Sequence, residues 1–376
     1  MHSFETRCVH SGEAPDPTTG AHGVPIYQNV TYAFETFGQV EAMRSGERPH
    51  FSYSPRGNPT VRCLEAKIAD LEGAEASVAL NSGMAAISGV VLAIAGNGGH
   101  IVASDHVYDL TRELLRDELP RLGASATFVN INDASAITSA ITPQTRAIYA
   151  EPVSNPLLRV TDLEMVAAVA REHGLPLIVD NTFLSPAVLR PLAHGATVVI
   201  HSATKYLSGN GQVQGGIVSG PRDVVQRVVA QMQILGTAMP PFSAWLLLAG
   251  SHTLALRMAR HGENAKAIAE FLVAHPAVAG VNYPGLDGHP GHEVASHLFG
   301  ESGFGGMVSF TLRHPELQGS FLNHLRLFTI AVSLGDTGSL IWPWANSDLI
   351  RISTGLEAPH DLIEDLRSAL DALAPG

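Results

Sequence analysis

Cysteine is nearly missing from this chain of 376 residues: only Cys8 and Cys63 occur. Two cysteines cannot build a disulfide framework, and they lack the paired spacing of a zinc site, so a reducing, cytoplasmic setting is expected. Lysine is almost as scarce. Of 23 basic residues only Lys67, Lys205 and Lys266 are lysines, which leaves few candidates for any chemistry that needs an amine. Positive charge in general is short: 23 basic side chains face 35 acidic ones, a net charge of −12. Nucleic acid is thereby excluded as a partner, because phosphate binding requires a basic face. Long apolar runs are absent too. The polar first residues hold no signal peptide, and stretches such as Ala244–Ala249 are cut by glycine and histidine, so they read as buried helix and no membrane partner is expected.

What the chain has is core. Apolar residues make up 45% and charged ones 15%, which excludes a disordered polymer and implies one large domain with a smaller companion. The first fifty or so residues are dense in turn formers and read as an extended arm with one short helix. From about Asn58, helices alternate with short β-branched runs, the pattern of an α/β fold with a mainly parallel sheet covered on both faces. Strands are predicted at Ser77–Leu80, His100–Ala103, Thr127–Asn130, Ala147–Ala150, Leu177–Val179 and Thr197–Ile200. The clearest helix runs from a capping box, Thr161 with Glu164, to Gly174. Beyond Gln233 come helices at Phe242–His261 and Glu263–His275, strands at Met307–Leu312 and Leu349–Ser353, and a last amphipathic helix at Asp361–Leu373. The expected division is an arm over 1–52, a large domain over 53–235 and a small C-terminal α/β domain over 236–376.

Ligands of doubly wound sheets bind at the carboxyl ends of strands, so polar residues just after apolar runs are the ones to collect. They are Glu151–Asn155, Asp180–Thr182, Ser202–Lys205, and Ser82-Gly83-Met84 opening a helix over Ala85–Ile94. The last has small residues and free amides at a helix N-terminus, which favours a phosphate, although alone it is an ordinary helix opening. Ser202 and Thr204 add hydroxyls. Asp180 is either a ligand's partner or a cap. Lys67 and Lys266 sit in helical patterns and read as solvated surface residues, whereas Lys205 directly follows a strand and is the lysine to consider. His289 and His292 lie in a Gly/Pro-rich loop without an obvious third ligand, so no metal site is expected.

A phosphate cradle, a strand-end carboxylate and a lysine together form the set needed for pyridoxal 5′-phosphate (PLP). The lysine carries the aldehyde cofactor, and the aspartate keeps the pyridine nitrogen protonated so that the ring accepts electrons.

The chain resembles the cysteine and methionine metabolism family of PLP enzymes, which includes cystathionine γ-synthase, cystathionine γ-lyase, methionine γ-lyase and O-acylhomoserine sulfhydrylases. The likeness covers nearly the whole length. It rests on Val9-His10-Ser11-Gly12, Gly57-Asn58-Pro59-Thr60, Ser82-Gly83-Met84, Val179-Asp180-Asn181-Thr182-Phe183, His201-Ser202-Ala203-Thr204-Lys205-Tyr206, Tyr283-Pro284-Gly285-Leu286, Gly303-Phe304-Gly305-Gly306-Met307, Ser333-Leu334-Gly335 and Arg351-Ile352-Ser353. It implies the fold of type I PLP enzymes, similar to aspartate aminotransferase.

The resemblance also implies roles. Lys205 corresponds to the cofactor-bearing lysine, Asp180 to the pyridinium partner, and Ser82, Gly83, Met84, Ser202 and Thr204 to the phosphate cup. Tyr108 falls where the family stacks a tyrosine on the cofactor ring, which helps the leaving group depart. Asn155 matches an asparagine near the cofactor and the substrate carboxylate, Arg351 the arginine gripping that carboxylate, and Ser333 a neighbour at the same end. In the family a tyrosine and an arginine reach the phosphate bound to a neighbouring chain. Tyr53 keeps that spacing; Pro55 occupies the arginine's usual place, and Arg56 follows one residue later. A homotetramer built as a dimer of dimers with shared active sites is the implied assembly.

The family eliminates or replaces a γ-substituent of an amino-acid substrate. Synthases and cystathionine γ-lyases usually have glutamate just before Ser-Leu-Gly; here it is Val332, as in methionine γ-lyases, and Asp336 also looks like that branch. Methionine γ-lyases commonly carry a cysteine two residues beyond the stacked tyrosine; here it is Leu110. Apolar Leu110 and Val332 suit an uncharged thioether tail. Between Ser333 and Arg351 the chain is shorter than its relatives and carries Trp342-Pro343-Trp344, read either as core packing or as a substrate wall. The expected activity is γ-elimination of methionine or a related thioether amino acid to 2-oxobutanoate, ammonia and a thiol, with cystathionine γ-lyase or a γ-replacing enzyme as the alternative.

Overall fold

The alternation of β-branched runs and helices folds as expected in the computed structural model, which describes residues 2–47, 50–344 and 347–373. Seven strands, β1 (Ala76–Leu80), β2 (His100–Ser104), β3 (Ser125–Val129), β4 (Thr145–Ala150), β5 (Leu177–Asp180), β6 (Val198–Ser202) and β7 (Gly216–Gly220), form one sheet in the order β1-β7-β6-β5-β4-β2-β3. Only β7 runs against the others. Successive side chains of a strand point to opposite faces. Val102, Ile148 and Val179 therefore join a core on one face, while Ile101, Ala103, Ala147, Tyr149 and Ile178 join a core on the other. Because both faces are covered by helices, these strands read as continuous apolar runs rather than alternating ones.

A second, smaller sheet is built from β8 (Val278–Asn282), β9 (Met307–Leu312), β10 (Thr329–Ile330), β11 (Leu340–Pro343) and β12 (Leu349–Ser353), in the order β10-β11-β12-β9-β8. It has its own core, in which Phe310, Ile341, Ile350 and Ile352 pack with Leu362 and Leu366 of the last helix, Pro359–Asp371. Among the described residues no helix is long and apolar enough to cross a membrane.

Several local expectations are corrected. The arm carries two short helices, Phe4–His10 and Phe37–Ser45, rather than one. The helix after Val160 is capped by Asp162, whose side chain accepts the Met165 amide; Thr161 instead turns inward and donates to the Glu151 carbonyl. The helices predicted to break near Gly262 break ten residues earlier, giving Pro241–Ser251 and Leu254–Ala274. At that joint the Gly250 carbonyl accepts the Thr253 amide and hydroxyl and the buried Arg257 guanidinium, which also bonds the Thr253 hydroxyl. Lys67 is no surface residue. It is fully buried, its Nζ donating to the Cys8 carbonyl and pairing with Glu13 at 2.6 Å, which ties the arm to the helix Pro59–Glu72.

Candidate active site

Because β1, β4, β5 and β6 run in one direction, their carboxyl ends open on one edge of the sheet, where a cavity of about 680 Å³ lies between the large and small sheets. A cavity of this size falls in the usual range for small-ligand sites. Its lining brings together Ser82, Gly83, Met84, Tyr108, Asn155, Asp180, Ser202, Thr204, Lys205, Val332, Ser333 and Arg351. These positions span some 270 residues of sequence, so their convergence is a product of the fold.

The helix Gly83–Ala95 starts at the end of β1, with the Ser82 hydroxyl accepting the Ala85 amide. The Gly83 and Met84 amides have no carbonyl within the helix to serve them. Two glycines keep this opening tight. A Cβ on Gly83 would stand 2.8 Å from the Ser202 hydroxyl, and one on Gly216 would collide with the Ser82 carbonyl at 2.0 Å. The result is a cradle of amides and hydroxyls without side chains in the way, suited to a phosphate. Thr204 serves it less directly, since its hydroxyl accepts the Gly215 amide at 3.1 Å.

Asp180 ends β5 almost fully buried at 8% exposure. One carboxylate oxygen takes the Thr182 amide and hydroxyl, and the other lies 3.4 Å from the Tyr149 hydroxyl. These partners are neutral. Burial raises its pKa, opposed by the Thr182 bonds and by His201. Glu151, beyond β4, is buried beside it and is pushed up further by burial and by Asp180; one of its oxygens accepts the Tyr108 amide at 2.7 Å. A buried carboxylate facing a cavity with only neutral donors fits a cationic N–H on the ligand, so the residues present suit PLP at both its phosphate and its ring nitrogen.

Lys205 follows β6, and its Nζ donates to the Ser333 hydroxyl at 2.8 Å. Burial, and then the nearby Arg351 cation, lower its pKa, which favours the free amine. Ser333 itself is held at φ +94°, a region non-glycine residues rarely occupy. That conformation presents its hydroxyl to Lys205 and its carbonyl to Arg351 Nη2 at 2.9 Å. Arg351 Nη1 donates to Asn155 Oδ1 at 2.9 Å, while its buried Nε has no partner. A planar guanidinium fork in the cavity lining suits an incoming carboxylate. Tyr108 lines the cavity with its hydroxyl pKa raised by burial and by Asp109 and Glu113.

Three expected residues do not line this cavity. Tyr53 and Arg56 are exposed near a separate short turn, Ser54–Arg56, and Leu110 is 43% exposed on the helix Asp109–Glu113. Conversely, Trp342 and Trp344 are half-buried and line the cavity rather than the core. Glu151 and Thr182 contribute more than their segments alone indicated. The signal for both was the strand-end position; what sequence could not give was the partner each bonds. His289 and His292 are used locally, by the Gly291 amide and the Pro284 carbonyl. Among the described residues no group of three or more His, Cys, Asp or Glu side chains is arranged to hold a metal.

Known proteins resemble this chain along its length. It is 41% identical to the cystathionine γ-lyase of Bacillus subtilis (strain 168), over 98% of this chain and 99% of that one. It is 39% identical to the L-methionine γ-lyase of Pseudomonas putida, over 99% and 98%. Its structure matches that of an O-acetylhomoserine (thiol)-lyase from Campylobacter jejuni with TM-score 0.93 and 32% identity, over 99% and 100%; that protein carries a pyridoxyl-lysine 5′-monophosphate. The model of the Cys/Met metabolism PLP-dependent enzymes matches residues 5–347. This chain belongs to that family, and its cofactor is PLP.

Proposed function

We propose that this PLP enzyme is a carbon–sulfur lyase that eliminates the γ-substituent of methionine or a related thioether amino acid. The observation that carries the choice is the apolar part of the cavity lining, Val332, Trp342 and Trp344, none of which can pair with a charge on a substrate's tail. An amino acid with a second ammonium and carboxylate would leave those groups without protein partners at this wall, at a cost that an uncharged thioether avoids.

PLP, when bound, supplies an electron sink for the substrate's α-carbon. The remaining tasks fall to the chain. Lys205 Nζ, favoured as the free amine and steadied by Ser333, takes the α-proton, a service worth roughly 10² to 10⁴ in rate. Asp180, buried at the cavity with neutral partners, would hold the proton of the ring nitrogen in place. Arg351 orients the substrate by its carboxylate, with Asn155 and the Ser333 carbonyl fixing the fork. The Tyr108 hydroxyl, kept protonated by burial, is placed to give its proton to the departing sulfur.

The exposed Tyr53 and Arg56, standing off their own cavity, support the reading that they complete the site of a neighbouring subunit in a dimer, and two such dimers a tetramer. The division into arm, large and small domains at 52 and 235 belongs to the same reading, as does the cytoplasm, where free thiols such as Cys8 and Cys63 persist.

The test offers methionine, cystathionine and O-acetylhomoserine, each with and without an added thiol, and measures keto acid and thioether. Keto acid from methionine alone supports γ-elimination. Thioether formed only when O-acetylhomoserine and thiol are both present would move the assignment to replacement, and keto acid from cystathionine but not from methionine would move it to cystathionine γ-lyase.

A further inference from the structure

Arg351 and Trp342 are register partners across the antiparallel pair β11–β12. Directly opposed residues send their side chains to the same face, and so does the residue two positions along the strand. Trp344, one residue past the end of β11 and still bonded through its amide to the Leu349 carbonyl, takes that position. Its ring centroid lies 5.3 Å from the Arg351 guanidinium carbon. The intervening positions face the other way: Ile350 and Ile352 are fully buried in the core of the small sheet. The sequence Trp-Pro-Trp opposite Arg thus places two indoles and one guanidinium on the cavity face, and all three line the cavity.

Arg351 is 5% exposed, and its partners are an amide oxygen, a backbone carbonyl and an aromatic ring, none of them charged. A buried cation without a counter-ion is costly, and burial lowers its pKa. The two hydrogen bonds fix the fork within its plane. They do not fix the tilt of that plane, which the Trp344 face does, while supplying a compensating cation–π attraction. The buried Nε–H is left without a partner.

We propose that Trp344, seconded by Trp342, is a positioning residue for Arg351: it holds the guanidinium tilted and charged for the substrate's α-carboxylate. The inference rests on the reading of an amino-acid substrate, but not on which bond is broken. It predicts a dependence on the carboxylate that ordinary packing does not.

The test uses the PLP-loaded enzyme and two ligands without a leaving group. Norleucine is methionine with CH₂ in place of sulfur, and pentylamine is norleucine without its carboxylate. Dissociation constants are read from the change in cofactor absorbance for the wild type, Trp344→Leu, Trp344→Phe and Trp342→Leu. Trp344→Leu should weaken norleucine about five- to tenfold and pentylamine by less than about twofold. Trp344→Phe should recover part of the loss, and Trp342→Leu should act in the same direction but less. With methionine, KM should rise more than kcat falls. Equal weakening of both ligands, or unchanged norleucine binding in a folded Trp344→Leu protein, would overturn the proposal. Neither ligand can undergo elimination, so this outcome is independent of whether methionine or another amino acid is turned over.

Discussion

Replacing Asp180 by asparagine tests the catalytic half of the site with little disturbance to the fold. The variant keeps the side chain's size, and its oxygen can still accept the Thr182 amide and hydroxyl. Its new NH₂ meets the Tyr149 oxygen, which lies 3.4 Å from the present carboxylate oxygen and can accept. What disappears is the charge. In the wild type the carboxylate has only neutral partners, so a cationic ring N–H would be its one ionic bond. A charge-assisted hydrogen bond contributes about 1.5 to 3 kcal/mol. At 1.36 kcal/mol per tenfold, kcat should fall roughly 10- to 150-fold if that bond is stronger in the transition state than before it. The assay is 2-oxobutanoate release at saturating methionine, with cofactor content measured on the same preparation. A variant that holds a full complement of PLP and keeps kcat within about threefold of wild type would refute the reasoning, because a bond worth under 0.7 kcal/mol is not an ionic one.

Arg351→Lys should raise KM for methionine roughly 10- to 100-fold, since an ammonium cannot make the forked contact and would lose both the Asn155 and the Ser333 bonds; initial-rate kinetics check it. Lys67→Met should destabilise the protein by about 1.5 to 3 kcal/mol by removing the buried ammonium that pairs with Glu13 and bonds the Cys8 carbonyl, leaving His252 as the partner of Glu13, whereas Lys266→Met, an exposed residue 3.9 Å from Glu270, should change stability by less than about 0.5 kcal/mol; thermal melting of the two variants separates them. Stability should also fall in mild acid. Burial holds His261 at about 4, below its unfolded value, so the folded state binds the proton less readily; up to about 3 kcal/mol present above pH 6.5 is lost as the pH falls through 4, and His261→Gln should flatten that slope in urea titrations.

The cofactor end of the site was legible in sequence because it obeys a local rule. Asp180, Ser202, Lys205 and Ser82 each follow an apolar strand within a few residues, and parallel strands deliver such positions to one edge. Where side chains carry no pattern, the rule had nothing to read. Gly216–Gly220 is a central strand, but glycine occupies both its ends because the Ser82 carbonyl and the β6 backbone pass too close for a Cβ. Lys67 failed for a different reason. Its helical neighbourhood is that of an exposed residue, and only the arm, folded back from some sixty residues earlier, covers it. The tryptophans at 342 and 344 needed register: a period-2 repeat has two faces, and which one meets the cavity is decided by pairing with β12.

The substrate end is set by weak interactions, so its specificity should respond to single changes. Val332 stands at the mouth of the cavity and is 61% exposed, so a carboxylate placed there stays hydrated and costs the fold little. Val332→Glu would offer a partner to a distal ammonium on cystathionine, which methionine lacks. An exposed ion pair contributes about 0.2 to 1 kcal/mol, so kcat/KM for cystathionine relative to methionine should rise roughly 1.5- to 5-fold, and the gain should shrink in high salt. A ratio that stays constant or falls would mean that the tail does not pass residue 332, and the apolar wall would then lose its place in the argument for a thioether substrate. A gain far above fivefold would mean that the mouth is closed by something drier than the single chain provides, as a neighbouring subunit would be, since only desolvation makes such a pair that strong.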